Sequence, residues 1–286
     1  MINKLVIIGV GLIGGSFALA LREAGLVREV VGVGRSAENL SAALGMYVID
    51  RYTEAAQAVQ GADVVLLAVP VGQMGPMMAA IAPHLAPHTI VSDVGSTKQD
   101  VVALARANLP QHLAQFVPGH PIAGAEQSGV KAADGHLFRE RNVVLTPLPE
   151  TNPAARELIA KLWQGCGAKV SEMAPALHDE VFAAVSHLPH LLAFGLVDYI
   201  AAQPNAEALF GFAASGFRDF TRIAGSHPEM WRDICLANRG ALLQQISGYE
   251  AELARIRQLI EQGDGVALAK LFEHARDARQ KLLKNP

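Results

Sequence analysis

A single short stretch decides much of what this chain can become: Gly9-Val10-Gly11-Leu12-Ile13-Gly14. It follows Lys4–Ile8, a β-branched apolar run that reads as a buried parallel strand. An apolar helix is predicted from about Ile13 to Ala24, ended by Gly25, and a second strand over Val30–Val33. A GxGxxG turn inside such a βαβ unit is a phosphate cradle. Gly9 permits the tight turn, and Gly11 lets the backbone approach a pyrophosphate at the positive end of the helix, with Leu12 and Ile13 alongside. Gly14 permits close packing of helix on strand. The bland alternative, a glycine-rich turn in some other α/β fold, does not need the complete strand–turn–helix–strand context.

Further strands are predicted at Val64–Val69, stopped by Pro70, and at Thr89–Ser92, with a helix over Lys98–Leu109. Val143–Leu145 and Ala168–Ser171 read as shorter strands. Alternation of strand and helix implies a Rossmann-type, doubly wound parallel sheet of the α/β class. From Ala176 onward only helical patterns remain: Leu177–His187, Leu191–Ala202, Trp231–Ile260 and Val266–Leu283. The expected organisation is a dinucleotide-binding domain over 1–171 and an all-helical domain over 172–286. A chain of 286 residues has room for both.

Composition narrows the partners. The net charge is −3 and charged residues make up 18%, so there is no electrostatic reason to expect nucleic acid or an anionic membrane. No stretch of about 18 apolar residues is evident, so no membrane span is expected. The N-terminus runs directly into the glycine turn without a signal-type cleavage site. Two distant cysteines, Cys166 and Cys235, form no CxxC pair and suit a reducing, cytoplasmic setting.

Cofactor choice should be written at the end of the second strand. NAD sites of this kind usually place a carboxylate there to bind the ribose hydroxyls. This chain has Gly34-Arg35-Ser36: room at Gly34, a charge partner for a 2′-phosphate in Arg35, and a donor in Ser36. NADP is therefore expected over NAD, unless Arg35 only stacks on adenine from the surface. Val69 and Pro70, where the third predicted strand stops, are expected to lie along the same cofactor.

Four further segments carry chemistry. Asp93-Val94-Gly95-Ser96-Thr97-Lys98 sits between a strand and a helix, where such folds place ligands; Ser96 is a substrate contact or, with Thr97, merely an N-cap. In Gly119-His120-Pro121-Ile122-Ala123-Gly124, a histidine held in a short turn is a poor packing choice. A neutral imidazole accepting a hydrogen bond from a substrate hydroxyl is what alcohol oxidation needs. His187-Leu188-Pro189-His190 is expected to open a helix, touching substrate or capping; the spacing and the absence of a carboxylate pair speak against a metal, and none is expected. Arg222, among small and apolar residues, is expected to be buried and to hold either a substrate carboxylate or an internal one such as Asp219 or Glu229.

Taken together, the glycine turn, Asp93–Lys98, His120–Gly124, Glu126-Gln127-Ser128-Gly129, Ser186–His190 and Arg218–Trp231 resemble the prephenate/arogenate (cyclohexadienyl) dehydrogenase family, in order and to about residue 240. The resemblance implies hydride transfer to NAD(P) with loss of the ring carboxylate as carbon dioxide, in tyrosine biosynthesis. It implies His120 as the catalytic hydrogen-bond acceptor with Ser96 beside it. It further implies Arg222 on the ring carboxylate, and His187, His190, Gln127 and Trp231 around the substrate. A homodimer through the helical domain is implied too, and two long apolar-striped helices would otherwise leave exposed stripes. One departure stands out: the family often has a carboxylate where this chain has Gly34.

Three rivals use the same first domain. β-Hydroxyacid dehydrogenases rely on a lysine in the helical domain, yet none occurs between Lys169 and Lys270. Imine reductases give His120 and Arg222 no role. A non-catalytic cofactor sensor would not need Ser96, His120 and Arg222 together.

Overall fold

The computed structural model describes residues 1–125 and 127–284. Its strands are β1 (Ile2–Ile8), β2 (Val27–Val33), β3 (Arg51–Tyr52), β4 (Val64–Leu67), β5 (Ile90–Asp93), β6 (Phe116–Val117), β7 (Gly119–Pro121), β8 (Asn142–Leu145) and β9 (Lys169–Glu172). Between them lie α1 (Leu12–Glu23), α2 (Ala37–Gly45), α3 (Ala55–Ala58), α4 (Val71–Ile81), α5 (Gln99–Asn108) and α6 (Pro153–Gly165). The helices that follow are α7 (Pro175–Phe182), α8 (Leu188–Ala201), α9 (Ala206–Gly211), α10 (Ser215–Thr221), α11 (Pro228–Ala237), α12 (Arg239–Glu261) and α13 (Gly265–Lys284).

Six strands form one sheet in the order β3-β2-β1-β4-β5-β6, with every pairing parallel. Its strands are apolar on both faces because helices cover both. Side chains alternate accordingly: Leu5 and Ile7 of β1 enter one core with Phe17 and Trp163, while Val6 and Ile8 enter the other with Met74 and Val101. The strand order reverses direction between β1 and β4, and the glycine turn opens at that switch point, where doubly wound folds bind ligands.

The predicted strands at Val143–Leu145 and Ala168–Ser171 do not join this sheet. They belong to a second, three-stranded one, β7-β8-β9, in which β7 runs antiparallel to β8. Pro118, which has no N–H, separates β6 from β7 and ends the parallel ladder. His120 therefore lies on an edge strand, opposite Val144, rather than in the expected turn.

Compact packing divides the chain into Met1–Arg239 and Gly240–Pro286. Among the described residues no strand follows β9. The expected helix over Trp231–Ile260 is two, broken at Asn238. Likewise α7 and α8 form one continuous helix, Pro175–Ala201, through a π-helical turn at Ala183–His187. Pro189 explains the turn: it lacks an N–H and its ring crowds the carbonyl four residues back, so the ladder shifts there. By length and composition alone this helix could cross a membrane, contrary to the expectation of no such segment. Its Ser, His and Pro residues interrupt the apolar run without lowering mean hydropathy enough to disqualify it.

Candidate active site

At Gly9 the backbone has φ +98°, and a Cβ there would lie 2.4 Å from the Ala68 carbonyl oxygen. Gly14 is as tightly placed, its would-be Cβ 2.6 Å from the Gly9 oxygen. These two contacts seat α1 directly on the sheet. Gly11 is the N-cap of α1 and supplies no side-chain cap, so the helix presents uncapped N–H groups at Leu12 and Ile13. An anion is what such an end lacks, and a pyrophosphate fits it.

Gly11, Leu12 and Ile13 line a cleft of about 860 Å³. Arg35, Val69, Pro70, Ser96, His120 and Gln127 line it as well. The cleft is continued by Gly72 of α4 and by Glu229, Met230 and Asp233 of α11. Candidate dinucleotide-binding residues and the candidate catalytic pair thus share one cavity. Gly9 and Gly14 shape the turn from behind. Gly34 and Ser36 are exposed and stand outside the lining. Ser36 caps α2, its Oγ accepting from the Asn39 amide at 3.1 Å, so that oxygen already has a partner. Glu126 lies outside the described residues.

The loop containing Gln127 is tied to the cofactor turn by Asn39. Its Nδ2 donates to the Val10 carbonyl at 2.6 Å and its Oδ1 accepts from the Val130 amide at 3.2 Å. Nothing in the sequence distinguished Asn39 from any helical asparagine.

Ser96 is not an N-cap. The first amides of α5 are capped from outside, by Asp179 of α7. Its Oδ1 accepts from Lys98 N at 2.8 Å and its Oδ2 from Gln99 N at 2.9 Å. Below them the fully buried Lys98 pairs with the buried Asp93. Lys98 Nζ also donates to the Gly119 carbonyl at 2.7 Å, while Asp93 Oδ1 accepts from Gly119 N at 3.2 Å. The pair grips the residue before His120 by both its backbone polar groups. Burial pushes the Asp93 carboxyl up, against the pull of Lys98.

His120 is itself in contact with α7. Its Nδ1 is 2.8 Å from His178 Nε2, and His178 Nδ1 is 2.8 Å from Asp179 Oδ1. Phe182 packs edge-on against His120 with ring centres 4.9 Å apart. Burial holds His120 well below the usual imidazole range, reinforced by His178, Lys98 and His187. For His178, burial outweighs the opposing bond to Asp179, and its value is also lowered. Burial would raise Asp179, but the bonds from His178 and from the two α5 amides hold it below the ordinary value. Sequence reasoning missed His178 and Asp179; their only signal was a run of three titratable residues, His178-Asp179-Glu180, in an otherwise apolar helix.

The remaining candidates come from the helices and turns that follow β9. His187 is buried, its Nδ1 3.1 Å from Asn238 Nδ2, which also donates to the Asp179 carbonyl at 2.8 Å. Burial lowers His187 to about 4, with Asp179 opposing. His190 stacks on Trp231 at 3.7 Å between ring centres and bonds through Nδ1 to the Ser186 carbonyl at 2.8 Å. Burial lowers its pKa, and Arg222 nearby lowers it further. None of His187, His190, Trp231 and Arg222 lines the cleft. Arg222, expected to be buried, is exposed: it opens a short 3-10 turn, Arg222–Gly225, flanked by exposed or half-exposed residues. Among the described residues no group of three or more His, Cys, Asp or Glu is placed to hold a metal ion.

A parallel sheet with a phosphate-binding turn at its switch point, a neutral histidine and a serine in the same cleft, and a helical C-terminal region define a Rossmann-type oxidoreductase. Known families agree in detail. Residues 17–172 match the family model for the prephenate dehydrogenase nucleotide-binding domain, and 174–274 match that for its dimerization domain. A prephenate dehydrogenase of Bacillus subtilis is 40% identical over 99% of this chain and 76% of its own length. A cyclohexadienyl dehydrogenase of Zymomonas mobilis is 37% identical, covering 97% and 95%. The crystal structure of Aquifex aeolicus prephenate dehydrogenase with hydroxyphenyl propionate and NAD+ superposes with a TM-score of 0.92 at 35% identity, covering 99% of each chain. The chain belongs to the prephenate dehydrogenase family.

Proposed function

We propose that the protein oxidatively decarboxylates prephenate, arogenate or both, passing hydride to a nicotinamide dinucleotide. The observation that carries this is the shared cleft: the α1 N-terminus and His120 open onto one cavity. The cofactor, when bound, accepts the hydride. His120 accepts the hydrogen bond of the ring hydroxyl on the carbon that loses hydride, and Ser96 fixes the same end of the ring. As the ring carboxylate leaves as carbon dioxide, its bonding pair enters the ring, which becomes aromatic. The hydroxyl is retained as a phenol, so no proton need be stored. Gln127 extends the wall of the cleft, whereas His187, His190, Trp231 and Arg222 stand outside its lining, and of these the charged Arg222 alone is assigned an influence on the substrate, as a screened partner for its carboxylate. The test follows the near-ultraviolet absorbance of reduced nicotinamide with prephenate, arogenate and a small hydroxyacid, each with NAD and NADP. Reduction only with the small hydroxyacid, or with none, overturns the reading.

For the cofactor we propose a preference for NADP. The Aquifex aeolicus relative has been solved with NAD+. In this chain position 34 has no carboxylate to repel a 2′-phosphate, and Arg35 lines the cleft. A Cβ at Gly34 would lie 3.4 Å from Leu40 Cδ2, an ordinary contact, so Gly34→Asp is sterically admissible. Combined with Arg35→Ala it should reverse the preference. One charge-assisted phosphate contact is worth about 1.5–3 kcal/mol, roughly 10- to 100-fold in the ratio of kcat/KM values. A parent enzyme that already favours NAD refutes the reading of this turn.

We further propose a homodimer formed through the helical region. Val185 and Tyr199 on Pro175–Ala201 are exposed, as are Phe212 and Phe220. A second copy covers such a surface more economically than a bilayer, because the same helix commits His178, Asp179 and His187 to buried polar bonds. The free cysteines suit the cytoplasm. Sedimentation as a monomer at micromolar concentration would refute the dimer.

A further inference from the structure

His120 needs more than neutrality to accept a hydrogen bond from substrate; the correct ring nitrogen must be free. We propose that His178 is a positioning residue that fixes His120 in the tautomer protonated at Nδ1, leaving Nε2 as the acceptor. The inference rests on His120 having the role given above, and it names the device that prepares it.

The argument is one of proton accounting along a chain of three groups. Asp179 already accepts from two backbone amides at the start of α5, so its carboxylate is fixed in place and offers only lone pairs. The His178 Nδ1 at 2.8 Å must therefore be the donor, and a neutral His178 is left with a lone pair at Nε2. That lone pair faces His120 Nδ1 at 2.8 Å, so Nδ1 carries the proton. A neutral imidazole has one proton, and Nε2 of His120 is consequently bare. The opposite arrangement, His178 donating through Nε2, would require an imidazolium that is fully buried. The charged and titratable groups around His120 are Asp93 of β5, Lys98 beside the start of α5, His178 and Asp179 of α7, and His187 of the π turn. Of these only His178 is within hydrogen-bond reach of the ring. Asn238 Nδ2 holds the Asp179 backbone from the other side, so the anchor of the chain is tied at main chain and side chain alike. Aligning a ring through a buried carboxylate is an established way of choosing its tautomer.

Two variants separate this role from simple packing. His178→Phe keeps an aromatic ring but removes the acceptor; His178→Gln keeps an acceptor near the Nε2 position and removes the ring. Loss of tautomer control should lower kcat by on the order of 10- to 100-fold in the Phe variant with KM within about twofold, and the Gln variant should recover most of it. A packing role predicts the reverse order, Phe more active than Gln, and that order would overturn the proposal. Independently of turnover, 15N spectra of histidine-labelled wild-type protein at neutral pH should show His120 with a protonated Nδ1 and an unprotonated Nε2. Assignment comes from the signal lost in His120→Asn. In His178→Phe the same signals should shift toward a tautomer mixture. A wild-type His120 protonated at Nε2 refutes the inference even if the Phe variant fails to fold. Full activity in His120→Asn, by contrast, would remove the catalytic reading while leaving the tautomer measurement intact.

Discussion

At the scale of single residues, the site separates what touches the cleft from what stands behind it. His120 does both: its ring lines the cavity and its Nδ1 is bound to α7. His120→Asn should therefore reduce kcat by about 10²-fold or more while KM changes little, since a hydrogen bond that strengthens in the transition state is lost. Steady-state kinetics with the preferred substrate measures this, and near-normal turnover would remove His120 from catalysis. Because burial keeps its pKa well below the ordinary value, activity should hold through neutral pH and fail only on the acid side of the normal imidazole range. Arg222 calls for a smaller effect. Had it been buried in the cleft, its loss would have left an unpaired substrate carboxylate in a dry pocket; exposed and outside the lining, it attracts that carboxylate only through solvent. Arg222→Ala should raise KM only a few-fold, since a screened charge outside the cleft lining is worth about 1 kcal/mol or less. An unchanged KM would mean that the guanidinium serves only the protein.

At the scale of elements, α5 shows how one side chain can belong to structure and site together. Its N-terminus has no cap of its own sequence, and Asp179 on α7 supplies it. Asp179→Ala should cost about 1–2 kcal/mol through the cap alone. Urea unfolding measures that cost, and a loss of activity larger than the loss of folded protein would show the link through His178. Elements with strong local patterns were legible: β1, α1, β4, β5 and α5 all lie within a few residues of their predicted spans, because apolar runs of β-branched residues and glycine punctuation are local signals. The short β3, β6 and β7 were not, since two- and three-residue strands are defined by partners rather than by their own pattern. The same logic governs the site. Gly9–Gly14, Ser96 and His120 sit in compact motifs and could be found by reading. The bond from His120 to His178 joins residues 58 apart, and no periodicity predicts it. Arg222 was misjudged because small neighbours suggested burial, whereas its 3-10 turn places it outside.

At the scale of the whole molecule, the buried imidazoles make stability a function of pH. His120, His178, His187 and His190 all have folded-state values below the ordinary 6.5, burial being the first cause in each. In the unfolded chain these rings take up protons as pH falls through 6.5; in the folded chain they resist. The unfolded state then binds more protons, so stability falls with falling pH. The window opens at the unfolded value and closes near the folded one, which for His187 is about 4. For that ring alone the span of about 2.5 pH units corresponds to roughly 3 kcal/mol once pH has dropped below both values. Domains of this kind hold only about 5–15 kcal/mol in reserve, so His187 and its three neighbours together should bring acid unfolding well above the carboxylate range. Urea midpoints measured at pH 7.5, 6.0 and 5.0 should decline steadily. In His187→Gln, where the residue at 187 no longer titrates, the decline should be shallower even if the variant starts less stable. A midpoint that stays constant from pH 7.5 to 5.0 would mean that these histidines are hydrated in solution and titrate alike in both states.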